Sequence, residues 1–224
     1  MDSVIQAMSH QYSAFISYRR PPNDNTLVEN FKKILETEGF HATNINKLFY
    51  DKKSIKPGQD FQLTIYKSIL ESYFFVPIFS RHYICRDNPW CAKELYYALQ
   101  IEKALKKRLG DQFCFIFPFI LRGRVNLLPK CIENKNSISL HPYENALCNN
   151  ILLDKITDLQ QEIEDVLSIN FLCFEGVDVD LNEIENEIEI PSEEELLEWI
   201  ASQRRSIYLK AKILQEPKLE IAHV

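Results

Sequence analysis

The chain has 224 residues, 46% of them apolar and 12% aromatic, with only 5 glycines, which supports a packed core and excludes disordered, collagenous and low-complexity classes. Its longest apolar run, Phe113–Leu121, contains Pro118 and falls well short of the roughly 20 residues a bilayer-spanning helix needs. The formal charge of -6 is uneven, with 20 Lys and Arg against 14 Asp and Glu up to residue 150, and 6 against 18 beyond it.

In chain order, Tyr12–Tyr18 (YSAFISY) is rich in β-formers and reads as a buried first strand. After a loop with two prolines, Asn25 or Thr26 is placed to cap a helix with Leu27, Phe31, Ile34 and Leu35 on one face. Gly39 stops it. A short strand, Leu48–Tyr50, leads into the charged Pro-Gly loop Asp51–Gly58 (DKKSIKPG). Asp60 caps a helix carrying Phe61, Ile65 and Ile69. Phe74–Phe79 has the composition of a central strand, in which Pro77 is awkward. Trp90–Arg108 is helical and ends in a basic run before Gly110. Phe113–Leu121 is the most apolar strand and Ser137–Leu140 a weaker last one. Leu152, Ile156, Leu159, Ile163 and Val166 step as a helix. Glu175–Glu198 alternates loosely and is expected as an edge strand or an extended segment. Ser192 with Glu195 forms a capping box for a last helix, about Ser192 to Leu214, whose apolar face holds Leu196, Ile200, Ile207, Ala211 and Leu214.

Strands alternating with helices imply an α/β fold with a parallel sheet covered on both faces, and five strands predict a flavodoxin-like order. The charge break divides the chain into a domain over 10–148 and an acidic, mainly helical extension over 149–224. The extension is able to dock as an extra helical layer, to inhibit assembly or to bind a partner. Its acidity disfavours nucleic acid as a partner. With no basic start followed by an apolar stretch at the N-terminus, no membrane association is expected and the expected location is the cytoplasm. The six cysteines are then expected as free thiols. His82, Cys85 and Cys91 lack a fourth ligand at suitable spacing, so no metal is expected.

No dinucleotide, P-loop, zincin or nucleophile-elbow motif occurs, and the five histidines flank no evident nucleophile. Ligands of such sheets bind beyond the carboxyl ends of the strands, here Tyr18–Arg20, Asp51–Gly58 and Ser80–Pro89. Arg19 and Arg20 are suited to clamp a phosphate, or are ordinary surface arginines. Asp51, with Ser54 and Gly58, belongs to a ligand loop or a plain turn. Trp90 and Glu94 share a helix face, as a site pair or as a packing aromatic beside a solvated carboxylate.

Taken together, YSAFISYRR, LFYDKKSIKPGQDF, SILESYFFVPIFSRHYI and WCAKEL resemble the successive motifs of a TIR domain over about residues 10–145. The resemblance implies a flavodoxin-like five-stranded sheet and leaves the extension unmatched. Some TIR domains are interaction modules that assemble through the loop here at Asp51–Gly58. Others cleave NAD+ between nicotinamide and ribose, with an essential glutamate four residues after a tryptophan. That pattern falls on Trp90 and Glu94, so the resemblance is to the enzymatic kind, with Glu94 catalytic. FISYRR is similar to NAD-cleaving members in which residues after the first strand line the nucleotide pocket, implying roles for Tyr18, Arg19 and Arg20. Asp51, Ser54, Gly58, Ser80 and Trp90 are implied as further substrate contacts. NAD+ is then the substrate and no other cofactor is implied. Expected partners are further copies of the chain, through TIR–TIR contacts, with a downstream effector or upstream trigger protein; bacterial anti-phage immunity is the expected setting. The alternatives are a non-catalytic TIR scaffold or host mimic, and a nucleotide-sensing TIR that binds without turnover.

Overall fold

The computed structural model describes residues 10–19, 25–38, 47–50, 60–80, 83–86, 89–121, 128–135, 137–140, 161, 163–165 and 179–215. Five parallel strands form one sheet: β1 (Tyr12–Tyr18), β2 (Leu48–Phe49), β3 (Ser72–Phe79), β4 (Phe119–Ile120) and β5 (Ile138–Ser139), in the order β2-β1-β3-β4-β5. This is the flavodoxin-like order, and the direction of winding reverses between β1 and β3. The helices of the α/β unit are α1 (Asn25–Glu38), α2 (Phe61–Leu70) and α3 (Trp90–Leu109).

Alternation along the strands sorts side chains between two cores. Ala14 and Ile16 of β1, with Phe74, Val76 and Ile78 of β3, meet Val28, Phe31 and Leu35 of α1. Phe15, Phe75 and Phe79 face the other way, toward Ile65 and Ile69 of α2 and Leu95, Ala98 and Ile101 of α3. Phe15 stacks between Phe49 and Phe75, its centroid 5.0 and 5.7 Å from theirs. The Asp60 side chain accepts from the Leu63 amide, at 2.9 Å, to cap α2 as the sequence predicts.

Pro77 is tolerated because its missing N–H falls where the ladder lapses. The Phe75 amide donates to the Phe115 carbonyl at 2.8 Å and the Phe117 amide to the Phe75 carbonyl at 2.9 Å, and pairing resumes at Ile78 with Phe119, so the ladder skips position 77. Pro77, which offers β4 no N–H, explains why the apolar stretch Phe113–Leu121 yields a two-residue strand plus an isolated bridge instead of the nine-residue strand its composition suggests, while Pro118 faces β5, its carbonyl accepting from the Ile138 amide at 3.0 Å.

The acidic segment corrects a second expectation. Leu181–Glu187 is a helix, α4, and not an edge or extended strand. Asp180 caps it through the Asn182 amide at 2.8 Å, and its buried pair Leu181 and Ile184 lies three residues apart, a helical spacing that the loose alternation masked. Helix α5 (Glu193–Gln215) follows, with the expected capping box: the Ser192 amide donates to Glu195 Oε2 at 2.8 Å and the Glu195 amide to Ser192 Oγ at 3.3 Å.

Both helices dock on the α/β unit. Leu181, Ile184, Leu196 and Ile200 belong to the same core as α3, and Trp199 meets Tyr96 edge-on at 5.3 Å. At about 1.5–3 kcal/mol for each large aliphatic side chain buried, these four residues anchor the layer. Exposed ion pairs at its rim join Glu187 to Lys107 and Arg108, at 3.0 and 2.6 Å. Among the described residues of the predicted helix over 152–166, residues 161 and 163–165 are helical, and Ile163 is buried in the α1-side core. No helix among the described residues is long and apolar enough to cross a membrane.

Candidate functional site

At the reversal point between β1 and β3, the carboxyl ends of the strands bring Tyr18 and Arg19 beside Ser80. Ser17, 1% exposed, lies near the carboxyl end of β1 and is one of two buried serines in that strand, with Ser13. It belongs to the set of β1 side chains that faces α3. Ser17 Oγ donates to Glu94 Oε2 at 2.5 Å. Its single hydrogen is thereby committed, so the Tyr83 hydroxyl, 2.6 Å away, donates to Ser17. The result is a two-step hydroxyl relay that ends on a carboxylate, and its charge-assisted final bond is the stronger kind.

Tyr83 reaches this position through a turn after β3, in which its amide donates to the Ser80 carbonyl at 3.1 Å. Burial raises its phenol well above the ordinary value of 10, with Cys91 and Glu94 adding to the effect. The hydroxyl therefore stays protonated and remains a donor at any physiological pH. Tyr66, stacked on Tyr97 with centroids 4.3 Å apart, is also raised, first by burial and also by the Glu94 charge.

Glu94 is 7% exposed and lies one turn into α3, which Trp90 opens directly after Pro89. Trp90 is half-buried. Its indole meets the Phe61 ring edge-on at 4.8 Å, while Lys93 Nζ stands 4.9 Å from its centroid. Phe61 begins α2, so the contact pins the helix that follows the Asp51–Gly58 loop against the start of α3. Trp90 and Glu94 thus share a helix, as their spacing predicts, with the tryptophan at the loop side and the carboxylate inward.

Tyr18 is placed differently. Its side chain belongs to the α1 face of the sheet, where its hydroxyl accepts from Lys32 Nζ at 2.9 Å. Lys32, only 2% exposed, also lies 4.1 and 4.3 Å from the centroids of Tyr18 and Tyr50. The structure therefore brings Trp90 and Glu94 to one side of the sheet and turns the Tyr18 ring to the other, while Ser80 sits at the end of β3 with its carbonyl accepting from Tyr83. Arg19 is half-buried at the strand end. Arg20, Asp51, Ser54 and Gly58 lie outside the described residues, as does His82.

Sequence reasoning missed Ser17 and Tyr83. Two serines, Ser13 and Ser17, interrupt the apolar first strand and only the second lies at its carboxyl end, which was the available signal, whereas nothing local in Ser80–Pro89 marks Tyr83 as a buried hydroxyl. Cys85, Cys91, Cys114 and Cys131 are thiols. Among the described residues, no three His, Cys, Asp or Glu side chains gather as a metal site.

The family described as TIR domain matches residues 14–152, more than half of the chain. The "TMV resistance protein N" of Nicotiana glutinosa is 24% identical over 133 residues, which is 59% of this chain and 11% of that protein. The chain thus spans about a tenth of the length of that curated relative. Among solved structures, the TIR domains in the "Structure of the activated Roq1 resistosome directly recognizing the pathogen effector XopQ" align at 21% identity with a TM-score of 0.43, over 85% of this chain and 97% of that one.

Proposed function

From the premise that this chain belongs to the TIR domain family, we propose that it cleaves NAD+ between nicotinamide and ribose, with Glu94 as the catalytic carboxylate. The observation that carries the reading is the Tyr83–Ser17–Glu94 relay beneath the reversal point of the sheet, where ligands of such folds bind. Nicotinamide is a cationic group in NAD+ and departs neutral, so no general acid has to protonate it. Half of the two-carboxylate arrangement of ordinary glycosidases becomes unnecessary. One oriented carboxylate suffices to hold the ribose hydroxyls and stabilise the oxocarbenium-like charge as the bond breaks. Ser17 fixes one oxygen of Glu94, so the carboxylate does not have to reorganise as that charge develops.

Water attack on the ribosyl centre gives ADP-ribose, and attack from within the same molecule gives a cyclic isomer. Either outcome suits a signalling or NAD+-depleting role in immunity against phage. Trp90 and Ser80 flank the site, and Arg19 stands at the mouth of the crevice, where a phosphate of the dinucleotide passes. Arg20, Asp51, Ser54 and Gly58 complete the proposal on the loops. Self-association follows from the same reading: Phe61, 40% exposed beside Trp90, offers an apolar contact to a second copy.

Purified protein incubated with NAD+ should release nicotinamide, with the accompanying product identified by mass spectrometry, and Glu94→Ala should release none. A second reading, a TIR scaffold without turnover, is favoured by the burial of Glu94, since a buried carboxylate can serve the fold alone. It predicts that Glu94→Ala melts at a lower temperature while wild-type protein leaves NAD+ intact.

A further inference from the structure

A cavity of about 390 Å³ opens beside the second half of α3, bounded by the residues leading into β4 and by the 3-10 turn Lys130–Ile132. Its size suits a small ligand. Three lysines, Lys106, Lys130 and Lys135, line it together with Glu102 and Asn134. The single charge of Glu102 balances them only in part. Its Oε2 accepts from the Phe115 and Ile116 amides, both at 3.0 Å, and its Oε1 accepts from Lys135 at 2.5 Å. Lys106 forms a longer ion pair with the same Oε1, at 3.7 Å, and among the described residues Lys130 has no hydrogen-bonding or ionic partner. Each ammonium carries three donors, so acceptor capacity falls short of donor capacity around the cavity.

We propose that this cavity is a binding site for a small, multiply charged anion of the diphosphate class, held by Lys106 and Lys130 with Asn134 as a further donor. Lys135 and Glu102 form its fixed wall. The site is distinct from Glu94: Glu102 lies eight residues further along α3, about 12 Å at the helical rise per residue. It is also tied to the extension. The Cys131 amide donates to Gln203 Oε1 at 3.1 Å, while Lys210 Nζ donates to the Leu128 carbonyl at 3.2 Å and pairs with Glu133. The turn that presents Lys130 is thus held by α5, and an anion bound to it stabilises the docked extension by mass action.

The test is calorimetric titration of the full chain with pyrophosphate and, in parallel, with ADP. Binding is expected for wild type and for Glu94→Ala, with affinity lowered at least about tenfold in Lys106→Gln/Lys130→Gln, the scale of losing charged hydrogen bonds. Lys130 is exposed and Lys106 is partly so, hence the double variant should fold, as a circular-dichroism melt will verify. Equal affinity for the two probes marks the diphosphate as the recognised group, and tighter ADP binding marks a nucleotide; both uphold the site. Absence of binding to wild type, or unchanged affinity in the folded double variant, overturns it. Loss of binding in Glu94→Ala alone also overturns it by moving the anion to the sheet reversal.

Discussion

Glu94 and Glu102 lie on the buried side of one helix, 7% and 6% exposed, yet they are held in different ways. Glu102 accepts two main-chain amides at the start of the β4 region and a lysine, so its charge is woven into the backbone. Glu94 is fixed through a serine side chain that is itself fixed by a tyrosine. Burial is thus common to both carboxylates, and under the proposed function the donors described for each mark the difference in role. The main-chain amides tie Glu102 to the β4 region, whereas the Ser17 hydroxyl ties Glu94 to the carboxyl end of β1.

The sharpest way to break this comparison is to neutralise each glutamate without changing its shape. Glu94→Gln should lower NAD+ cleavage by about a thousandfold or more, the scale of a lost electrostatic contact to a transition state, with unfolding free energy within about 1 kcal/mol of wild type. Glu102→Gln should do the reverse, costing about 3–5 kcal/mol in urea unfolding because it leaves Lys135 buried beside a neutral amide. Similar losses of stability in both variants would erase the distinction.

The docked extension is the next test. Ile200→Ala should cost about 2–4 kcal/mol of stability, since the side chain is 1% exposed in the α3-side core. If the extension were an independent appendage, that change would leave the main unfolding transition in place. Ser17→Ala sharpens the site itself: loss of a charged hydrogen bond predicts a kcat about 10- to 100-fold lower with little change in KM. Tyr83→Phe, one bond further back, should cost about tenfold or less. A KM effect without a kcat effect would place the relay in binding instead.

The smallest effect is a pH dependence. His10 stacks on Tyr73 with ring centroids 4.0 Å apart, and burial lowers its pKa from 6.5 to about 4. The folded state therefore prefers the neutral ring, while the unfolded chain takes up a proton near pH 6.5. This contribution to stability is complete above pH 6.5 and is lost as pH falls toward 4. Partial exposure of the ring trims it to about 1–2 kcal/mol. His10→Phe should remove that portion of the acid sensitivity, seen as a smaller stability difference between pH 7.5 and 4.5 than in wild type.

Much of the fold was legible in local patterns: the apolar first strand, the Asp60 cap, the Ser192–Glu195 box and the alternation that implies a parallel sheet. What escaped were consequences of pairing. β4 is short because Pro77 of the neighbouring β3 offers it no N–H, which a linear reading of Phe113–Leu121 cannot see. Helix α4 was hidden because its seven residues bury only Leu181 and Ile184, too few to set a period. At the site, the spacing of Trp90 and Glu94 was visible in one helix. The partners of Glu94 were not, since Ser17 is 77 residues away and joins it only once β1 and α3 pack.

The central claim is that Glu94 performs chemistry while Glu102 serves the fold. It is tested most directly by measuring nicotinamide release from NAD+ in wild type and Glu94→Gln, each alongside its thermal melt. The account predicts release by wild type, none detectable from Glu94→Gln, and coincident melting curves. Equal release by both proteins, or a Glu94→Gln melt lowered as far as that of Glu102→Gln, would contradict it.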